Sequence, residues 1–426
     1  MYSNQIQKTL KTNKIGVGDE IIVKNKNQEL KGLLMPKHEF GDPNSLVIKL
    51  DSGYNIGVDI KNFKIKKSKT KQVKEKLRTA KVEFDKDKPT ISILHTGGTI
   101  ASRVDYKTGG VVASFKPEEI IEMYPEIKNL ANIKSKLLMN IFSEDMRFKH
   151  YQLIAKQIDK EIKNGADGIV ITHGTDTLCY TACALAFMLE NLPLPVILVG
   201  AQRSSDRGSS DAYLNLISAV RFIAETDFSG VAICMHENKN DENCLVLPAC
   251  KTRKLHSSTR DAFKPVNAKP VARIGEKIEF LSEYLKKDKN RKLNLKTRLE
   301  EKVGILKIHP NMQPEEISCF KNYKGLVIEG TGLGHAPVSN GNEEVFEALK
   351  KLSKTCVIVM TSQTIFGRVN MNVYSTGRKL QEIGIISGKD MLTETAFIKL
   401  AWLLGNYSQK ETRKLVTKNL RGEISK

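Results

Sequence analysis

The spacing of apolar and polar positions along this chain changes character twice. Over residues 15–60 the apolar positions come in short β-rich runs, IIVK at Ile21–Lys24, ELKGLLMP at Glu29–Pro36 and SLVIKLDSGYNIGVDI from Ser45 to Ile60. Asp51-Ser52-Gly53 interrupts the last of these, and a turn tripeptide between two β runs predicts a hairpin. Strands so short and closely spaced predict a small barrel of about five strands, here over residues 1–62; the alternative is an irregular β extension of the main domain. The pattern then turns polar and basic. Lys61, Lys64, Lys66, Lys67, Lys69, Lys71, Lys74, Lys76, Arg78 and Lys81 stand against Glu75 as the single acid before Glu83. Residues 63–88 read as a basic linker, by default solvated and otherwise a patch for RNA phosphates.

From Thr90 strands and helices alternate. ISILHTGG, DGIVITHG and PVILVGAQ read as buried strands. HYQLIAKQIDKEIKNG places Tyr151, Ile154, Ile158 and Ile162 at helical spacing and stops at Gly165, and TLCYTACALAFMLEN and AYLNLISAVRFIAE are the next helices. Residues 284–302 break the series with a polar run. A second series runs from VGILKIHP through GLVIEGTGLG and CVIVMTSQT to the helix TETAFIKLAWLLG. Such alternation predicts parallel sheets with helices on both faces. The expected fold class is therefore α/β. A small N-terminal β-barrel domain (1–62) and the basic linker (63–88) precede a site-bearing α/β subdomain (89–283), a connector (284–302) and a second α/β subdomain (303–426), both with mainly parallel sheets.

Composition narrows the class. A hydrophobic share of 40% over 426 residues supports sizeable cores and excludes a disordered chain. Lys and Arg number 68 against 48 Asp and Glu, a formal charge of +20, which points to a polyanionic partner, nucleic acid first; a merely lysine-rich surface is the equal alternative. The seven cysteines, Cys179, Cys183, Cys234, Cys244, Cys250, Cys319 and Cys356, form no Cys-x-x-Cys pair and no zinc-ligand spacing. Cys179 and Cys183 lie four apart in an apolar helical run and read as buried free thiols, which fits a reducing compartment. The first residues lack the apolar stretch of a signal peptide, and no run reaches the ~18 apolar residues of a membrane span. A cytoplasmic protein without a membrane partner is expected.

Two motifs carry the candidate chemistry. Thr96-Gly97-Gly98-Thr99-Ile100 follows the first predicted strand of the α/β region, where ligands collect in open sheets. Its glycines let a backbone approach closely and expose N–H donors beside a hydroxyl able to act as nucleophile. Ile171-Thr172-His173-Gly174-Thr175-Asp176-Thr177 follows another strand and sets a hydroxyl beside a carboxylate at the positive end of a helix. Helix capping by Thr175, Asp176 or Thr177 explains the second motif alone, and a capped glycine turn the first. Two such motifs converging on one cleft favour catalysis, with Thr99 or Thr175 as nucleophile. Gly109-Gly110 suggest a lid over residues 102–115. His173 and His95 rank behind Asp176 as bases, because both lie in buried strand positions.

LHTGGTIAS and GIVITHGTDT resemble the two signature motifs of the bacterial-type L-asparaginase family. Ser143-Glu144-Asp145-Met146 resembles its substrate loop, TRKLHSSTRDAF the segment holding its catalytic lysine, and VGILKIHPNMQ with GLVIEGTGLG the start of its C-terminal subdomain. The resemblance runs from about Thr90 onward. It implies Thr99 as primary nucleophile, Thr175, Asp176 and Lys254 as a second catalytic group, Ser143 and Glu144 as substrate contacts and Tyr106 as the lid tyrosine. The carboxylate that family takes from a neighbouring protomer has no clear counterpart near Gly367–Arg378. Within the family, the leading β domain, TRKLHSSTRDAF and TSQTIFGRVNMNVYSTGR resemble the D subunits of archaeal glutamyl-tRNA(Gln) amidotransferases. The second motif runs on as Thr-Leu-Cys where many asparaginases have Thr-Met-Glu, in keeping with that branch. The resemblance implies glutamine as amide donor and ammonia delivered to a partner, the E subunit of such amidotransferases, which activates the glutamate of Glu-tRNA(Gln) with ATP and magnesium. It also implies a homodimer of this chain within a heterotetramer. No Gly-x-x-x-x-Gly-Lys-Ser/Thr loop is found here, so ATP chemistry is expected in the partner and no metal or cofactor on this chain. The runner-up is a stand-alone cytoplasmic L-asparaginase or glutaminase; a third reading is an RNA-binding scaffold with an inactive hydrolase domain.

A threonine hydroxyl is a weak nucleophile until a base takes its proton, a contribution of ~10²–10⁴-fold. Lys254 is such a base only when neutral, whereas Asp176 beside it favours the ammonium. A relay through Thr175, with Asp176 orienting, reconciles the two.

Overall fold

The computed structural model describes residues 2–26, 28–35, 42–50, 55–59, 63–68, 84–98, 100, 102–104, 111–113, 126–203 and 210–425. Helix α1 (Asn4–Thr12), capped by the Ser3 hydroxyl, buries Ile6 and Leu10 against an antiparallel sheet of five strands. These are β1 (Glu20–Lys24), β2 (Glu29–Leu34), β3 (Ser45–Lys49), β4 (Asn55–Asp59) and β5 (Lys64–Lys67), in the order β4-β3-β2-β1-β5. Alternation works as it should in a half-buried sheet: Ile21 and Val23 point inward from β1, Leu46 and Ile48 from β3. The predicted hairpin pairs β3 with β4, Lys49 facing Asn55, while its turn, Asp51-Ser52-Gly53, lies outside the described residues. Among the described residues no pairing joins β4 to β5, so the expected barrel is seen as a five-stranded sheet. The sheet also runs past the boundary expected at residue 62. Lys64–Lys67, assigned to the linker, pairs with β1 because Ile65 fills the small core beside Val23. Residues 69–83 of the linker lie outside the described residues.

In the larger sheet β6 (Thr90–His95) lies one strand in from the edge. On one side lies β7 (Asn132–Leu137). On the other come β8 (Gly168–Thr172), β9 (Pro195–Val199) and β10 (Phe228–His236), and these five strands are parallel. The chain leaves β6 for β7 and then crosses back to β8. The order therefore reverses between β6 and β8, the topological switch point where a crevice opens at the strands' carboxyl ends. β8 and β9 are buried at every position, as parallel strands covered on both faces must be. The covering helices include α2 (Phe148–Lys163), α3 (Leu178–Met188) and α4 (Ala212–Glu225). β11 (Cys244–Pro248) extends the sheet antiparallel from β10, followed by two short antiparallel strands, Ala272–Ile274 and Ile278–Phe280.

The second subdomain has a four-stranded parallel sheet, β12 (Val303–Lys307), β13 (Gly325–Gly330), β14 (Val357–Ser362) and β15 (Ile386–Ser387), in chain order. Its helix α5 (Thr393–Asn406) packs on α3, and Trp402 lies 5.5 Å from Phe187 between ring centroids. α3 is apolar all round, and it is buried between the two subdomains, which share one continuous core. The connector 284–302 is held rather than loose: Leu285 and Lys286 pair with β10, and Asn294 and Leu295 pair with Glu190 and Leu189.

Candidate active site

The two predicted motifs meet at the switch point. Backbone N and hydroxyl of Thr96, just past β6, both donate to the carbonyl of Thr172 at the end of β8, at 3.1 and 2.9 Å. The glycines then bring loop against loop. A Cβ on Gly98, at φ +83°, would lie 2.7 Å from Gly174 N, and one on Gly97, at φ +115°, would lie 2.3 Å from the carbonyl of Ile141. Gly174 in turn has the Ser143 side chain where a Cβ would be. Only glycine permits such backbone contact at positive φ. Thr99 and Tyr106 lie outside the described residues, as do Gly109 and Gly110; of the expected lid, Ser102–Val104 pairs antiparallel with Val111–Ala113.

The second group is assembled across 79 residues of chain. Lys254 ends a three-residue strand, Thr252–Lys254, which pairs antiparallel with Phe263–Pro265. From there its Nζ donates to Thr175 Oγ1 at 2.9 Å and to Asp176 Oδ1 at 2.7 Å. The lysine side chain is 14% exposed and the aspartate 65%, so the pair spans the rim of the crevice. Because the ammonium donates to Thr175 Oγ1, the hydroxyl hydrogen is directed elsewhere. The oxygen is placed to accept a proton from one side and pass one to a neutral lysine on the other.

Ser143 is buried and Glu144 exposed, on a short 3₁₀ turn, Ser143–Asp145. Thr177, expected as a helix cap, caps nothing with its side chain; its hydroxyl donates to the Ser143 carbonyl at 2.6 Å and ties the Ser143–Asp145 turn to the second motif. That link was not legible, because a threonine before a helix looks like a cap whatever its hydroxyl does. Glu144 and Thr177 also line a cleft of about 580 Å³ with Phe148, Tyr180, Glu301 and Phe397; Thr175, Asp176 and Lys254 do not line it.

Both histidines are structural in geometry. His173 Nδ1 donates to its neighbour's carbonyl, Gly174 O, at 2.7 Å, leaving Nε2 to accept from Thr181 Oγ1 at 2.8 Å. Burial pushes its pKa down to about 4, so the ring is neutral. His95 pairs with Thr172 Oγ1 and Ser135 Oγ at 2.8 and 3.0 Å, and burial lowers it to about 4 as well. Among the described residues no cluster of three or more His, Cys, Asp or Glu side chains is arranged to hold a metal ion, and no helix is long and apolar enough to cross a membrane.

Known proteins divide along the same lines. Residues 90–286 match the N-terminal asparaginase domain family, 302–416 the glutaminase/asparaginase C-terminal domain family, and 15–67 the GatD N-terminal domain family. The chain is 46% identical over 435 aligned positions to the D subunit of the Pyrococcus furiosus glutamyl-tRNA(Gln) amidotransferase, covering 99% of this chain and 98% of that one. It belongs to the family of these D subunits. The Methanococcus maripaludis D subunit is 47% identical over 420 positions, 96% of this chain and 98% of its own length. Among solved structures, the thermostable L-asparaginase from Thermococcus kodakarensis superposes with a TM-score of 0.72 at 29% identity, covering 79% of this chain and 99% of its own. L-asparaginase I from Vibrio cholerae gives 0.70 at 29%, with the same coverage. The D-subunit relatives match nearly the whole chain; the asparaginases fall short by about the length of the leading sheet and the segment after it.

Proposed function

We propose that this chain is the glutaminase component of a tRNA-dependent amidotransferase, releasing ammonia from glutamine for the conversion of Glu-tRNA(Gln) to Gln-tRNA(Gln). The observation that carries the reading is the Lys254 ammonium bonded to both Thr175 Oγ1 and Asp176 Oδ1 at the switch-point crevice. It stands in a chain related over its whole length to the D subunits.

In the proposed reaction Thr99 Oγ attacks the side-chain amide carbon of glutamine. The C–N bond breaks, and nitrogen leaves as ammonia with the proton removed from Thr99. Water then attacks the acyl-enzyme, giving glutamate and restoring the Thr99 hydroxyl. Thr175 relays protons to and from Lys254, and Asp176 orients the lysine; Ser143 and Glu144 hold the substrate's α-amino and carboxylate end. The donors for the oxyanion are backbone N–H groups of the glycine loops. Tyr106 closes over the bound amide. Ammonia goes to the partner E subunit, which uses ATP and magnesium to activate the glutamate on Glu-tRNA(Gln). The working assembly is a homodimer of this chain joined to two such partners, in the cytoplasm.

The test is ammonia release from glutamine and from asparagine by the purified chain, alone and with its co-purified partner, Glu-tRNA(Gln) and ATP. Glutamine hydrolysis that rises with partner and tRNA, and that disappears in Thr99→Ala, is expected. Fast unassisted turnover of asparagine, indifferent to tRNA, would establish the stand-alone asparaginase instead. Unchanged complex activity with glutamine in Thr99→Ala would favour the scaffold reading, and an acyl adduct trapped on Thr175 would reverse the order of the two threonines.

A further inference from the structure

Lys254 belongs to the first α/β subdomain, yet the segment that carries it is held from the second. Residues 250–253 meet residues 390–395, at and before the start of α5, in three places. The carbonyl of Cys250 accepts from Thr395 Oγ1 at 2.9 Å. The Lys251 ammonium, with its side chain only 2% exposed, pairs with the Asp390 carboxylate and donates to the Asp390 carbonyl at 3.2 Å. The Arg253 guanidinium lies 3.3 Å from Glu394 Oε1. A fourth tether comes from further on: Ser425 N donates to both Asp390 carboxylate oxygens, at 3.0 and 3.2 Å, and Ser425 Oγ to the Asn267 carbonyl at 3.1 Å. Burial works to raise the Asp390 carboxyl, but the Lys251 ammonium and the Ser425 bonds outweigh it and hold it below the usual carboxylate range.

A two-stranded ribbon of three residues has little stability of its own. Besides these tethers, what fixes the Thr252–Lys254 strand is local: its pairing with Phe263–Pro265 and the Thr252 hydroxyl bond to the Pro248 carbonyl at 2.7 Å. The two Lys254 contacts, at 2.9 and 2.7 Å, leave under an ångström of slack before they cease to be hydrogen bonds. Glu394 adds an independent sign. Its Oε2 is buried with no partner among the described residues, a cost that stability alone does not explain.

We propose that Asp390 and Glu394 are positioning residues for the active site. Acting through Lys251 and Arg253, they set the strand so that Lys254 Nζ reaches Thr175 and Asp176 together. The proposal rests on the reading of Lys254 as the proton-transferring group. A displacement of about 1 Å at a reacting group costs up to ~10²-fold in rate, whereas Ser143 and Glu144 lie on a separate loop tied to Thr177. Loss of either carboxylate should therefore reduce kcat while KM for glutamine stays nearly constant.

Glu394→Gln is the decisive variant, because Arg253 is partly exposed and can hydrate when its partner is neutral. Asp390→Asn leaves the Lys251 ammonium buried without its counter-charge and risks unfolding. In the assembled complex, Glu394→Gln should lower kcat about 10- to 100-fold with KM within about twofold, an effect of the size a misplaced group produces. Its melting temperature should stay near that of the parent, and Glu394→Asp should recover part of the rate. On a Lys254→Met background the same change should have no further effect, because there is no longer a lysine to position. A folded Glu394→Gln variant with unchanged kcat overturns the proposal, and so does one whose loss persists undiminished on the Lys254→Met background. If Lys254→Met itself keeps full activity, it is the reading of the site that fails.

Discussion

The two mainly parallel sheets of this chain are built by the same rules, and only one of them makes a crevice suited to this chemistry. In both, strands end in loops rich in threonine, serine and glycine: Thr96-Gly97-Gly98 and His173-Gly174-Thr175 in the first, Gly330-Thr331-Gly332-Leu333-Gly334 and Thr361-Ser362-Gln363-Thr364 in the second. In the second sheet the hydroxyls are taken up by the fold. Ser362 Oγ donates to the Gly332 carbonyl at 2.6 Å, Thr361 Oγ1 to the Ile328 carbonyl at 3.1 Å, and Thr331 Oγ1 to the His335 carbonyl at 3.4 Å. In the first, Thr175 Oγ1 instead receives a hydrogen bond from a lysine ammonium. The difference follows from strand order. β12 to β15 succeed one another without reversal, whereas the path from β6 through β7 to β8 doubles back, so the chain leaves the touching glycine loops in opposite directions and a crevice opens beside them. Loop composition alone does not make a site; the reversal does.

The strongest way to break this contrast is to remove hydroxyls and the lysine from each side in turn. Thr175→Ala and Lys254→Met should each reduce kcat for glutamine by ~10²–10⁴-fold, the range for losing acid–base assistance. Thr331→Ala should change it by no more than about twofold. A comparable loss from Thr331→Ala in steady-state assays would mean the second sheet takes part in chemistry. Glycine substitutions sharpen the same contrast in stability. Gly98→Ala forces a Cβ to within 2.7 Å of the Gly174 backbone at φ +83°, whereas Gly332, at φ +49°, has nothing within 4 Å of the same atom. Urea unfolding should show a loss of about 2–5 kcal/mol for Gly98→Ala and about 1–2 kcal/mol for Gly332→Ala. Equal losses would remove the argument that close loop packing shapes the crevice.

The pH dependence of folding tests the histidines beneath the first sheet's loops. Burial lowers His95 and His173 to about 4, against 6.5 when unfolded. Between those values the unfolded chain binds the extra protons, so stability is full above about pH 6.5 and lost progressively as the pH falls toward 4. At 1.36 kcal/mol per pKa unit, each ring accounts for about 3 kcal/mol of that loss. Melting curves of His173→Gln should be less steep in pH over this window than those of the parent; an identical slope would show that His173 takes no part. The smallest effect concerns Thr177→Val, which deletes the bond to the Ser143 carbonyl. Loss of one such bond, about 1 kcal/mol, should raise KM about fivefold with little change in kcat.

How much of this was legible in the sequence depends on range. The strands ISILH and GIVIT, their glycine loops and the helices after them follow from period and punctuation, and the structure places each where the pattern puts it. The family resemblance brought Lys254 to Thr175; no periodicity does, since the strand carrying it has three residues, too few for alternation to register. The Lys251–Asp390 pair joins positions 139 apart, and a buried lysine reads in sequence like an exposed one. The boundary expected at residue 62 fell short because KIKK is so basic that its one inward residue, Ile65, went unread as a strand. Thr177 looked like a cap because local pattern records a hydroxyl's presence, not its direction.

The tethers on Lys251 also bear on the order in which the protein can become active as it is made. The first α/β subdomain emerges from the ribosome early and can begin to fold as a unit. Its threonine loops need only their own neighbours. The Lys251 ammonium finds its carboxylate only when Asp390 has followed, and Ser425 reaches that pair from 174 residues downstream. Ribosome-bound chains stalled short of residue 390 should accordingly release ammonia far more slowly than the finished chain. A chain that ends before residue 390 lacks the carboxylate that holds Lys251, and with it part of what fixes the strand carrying Lys254.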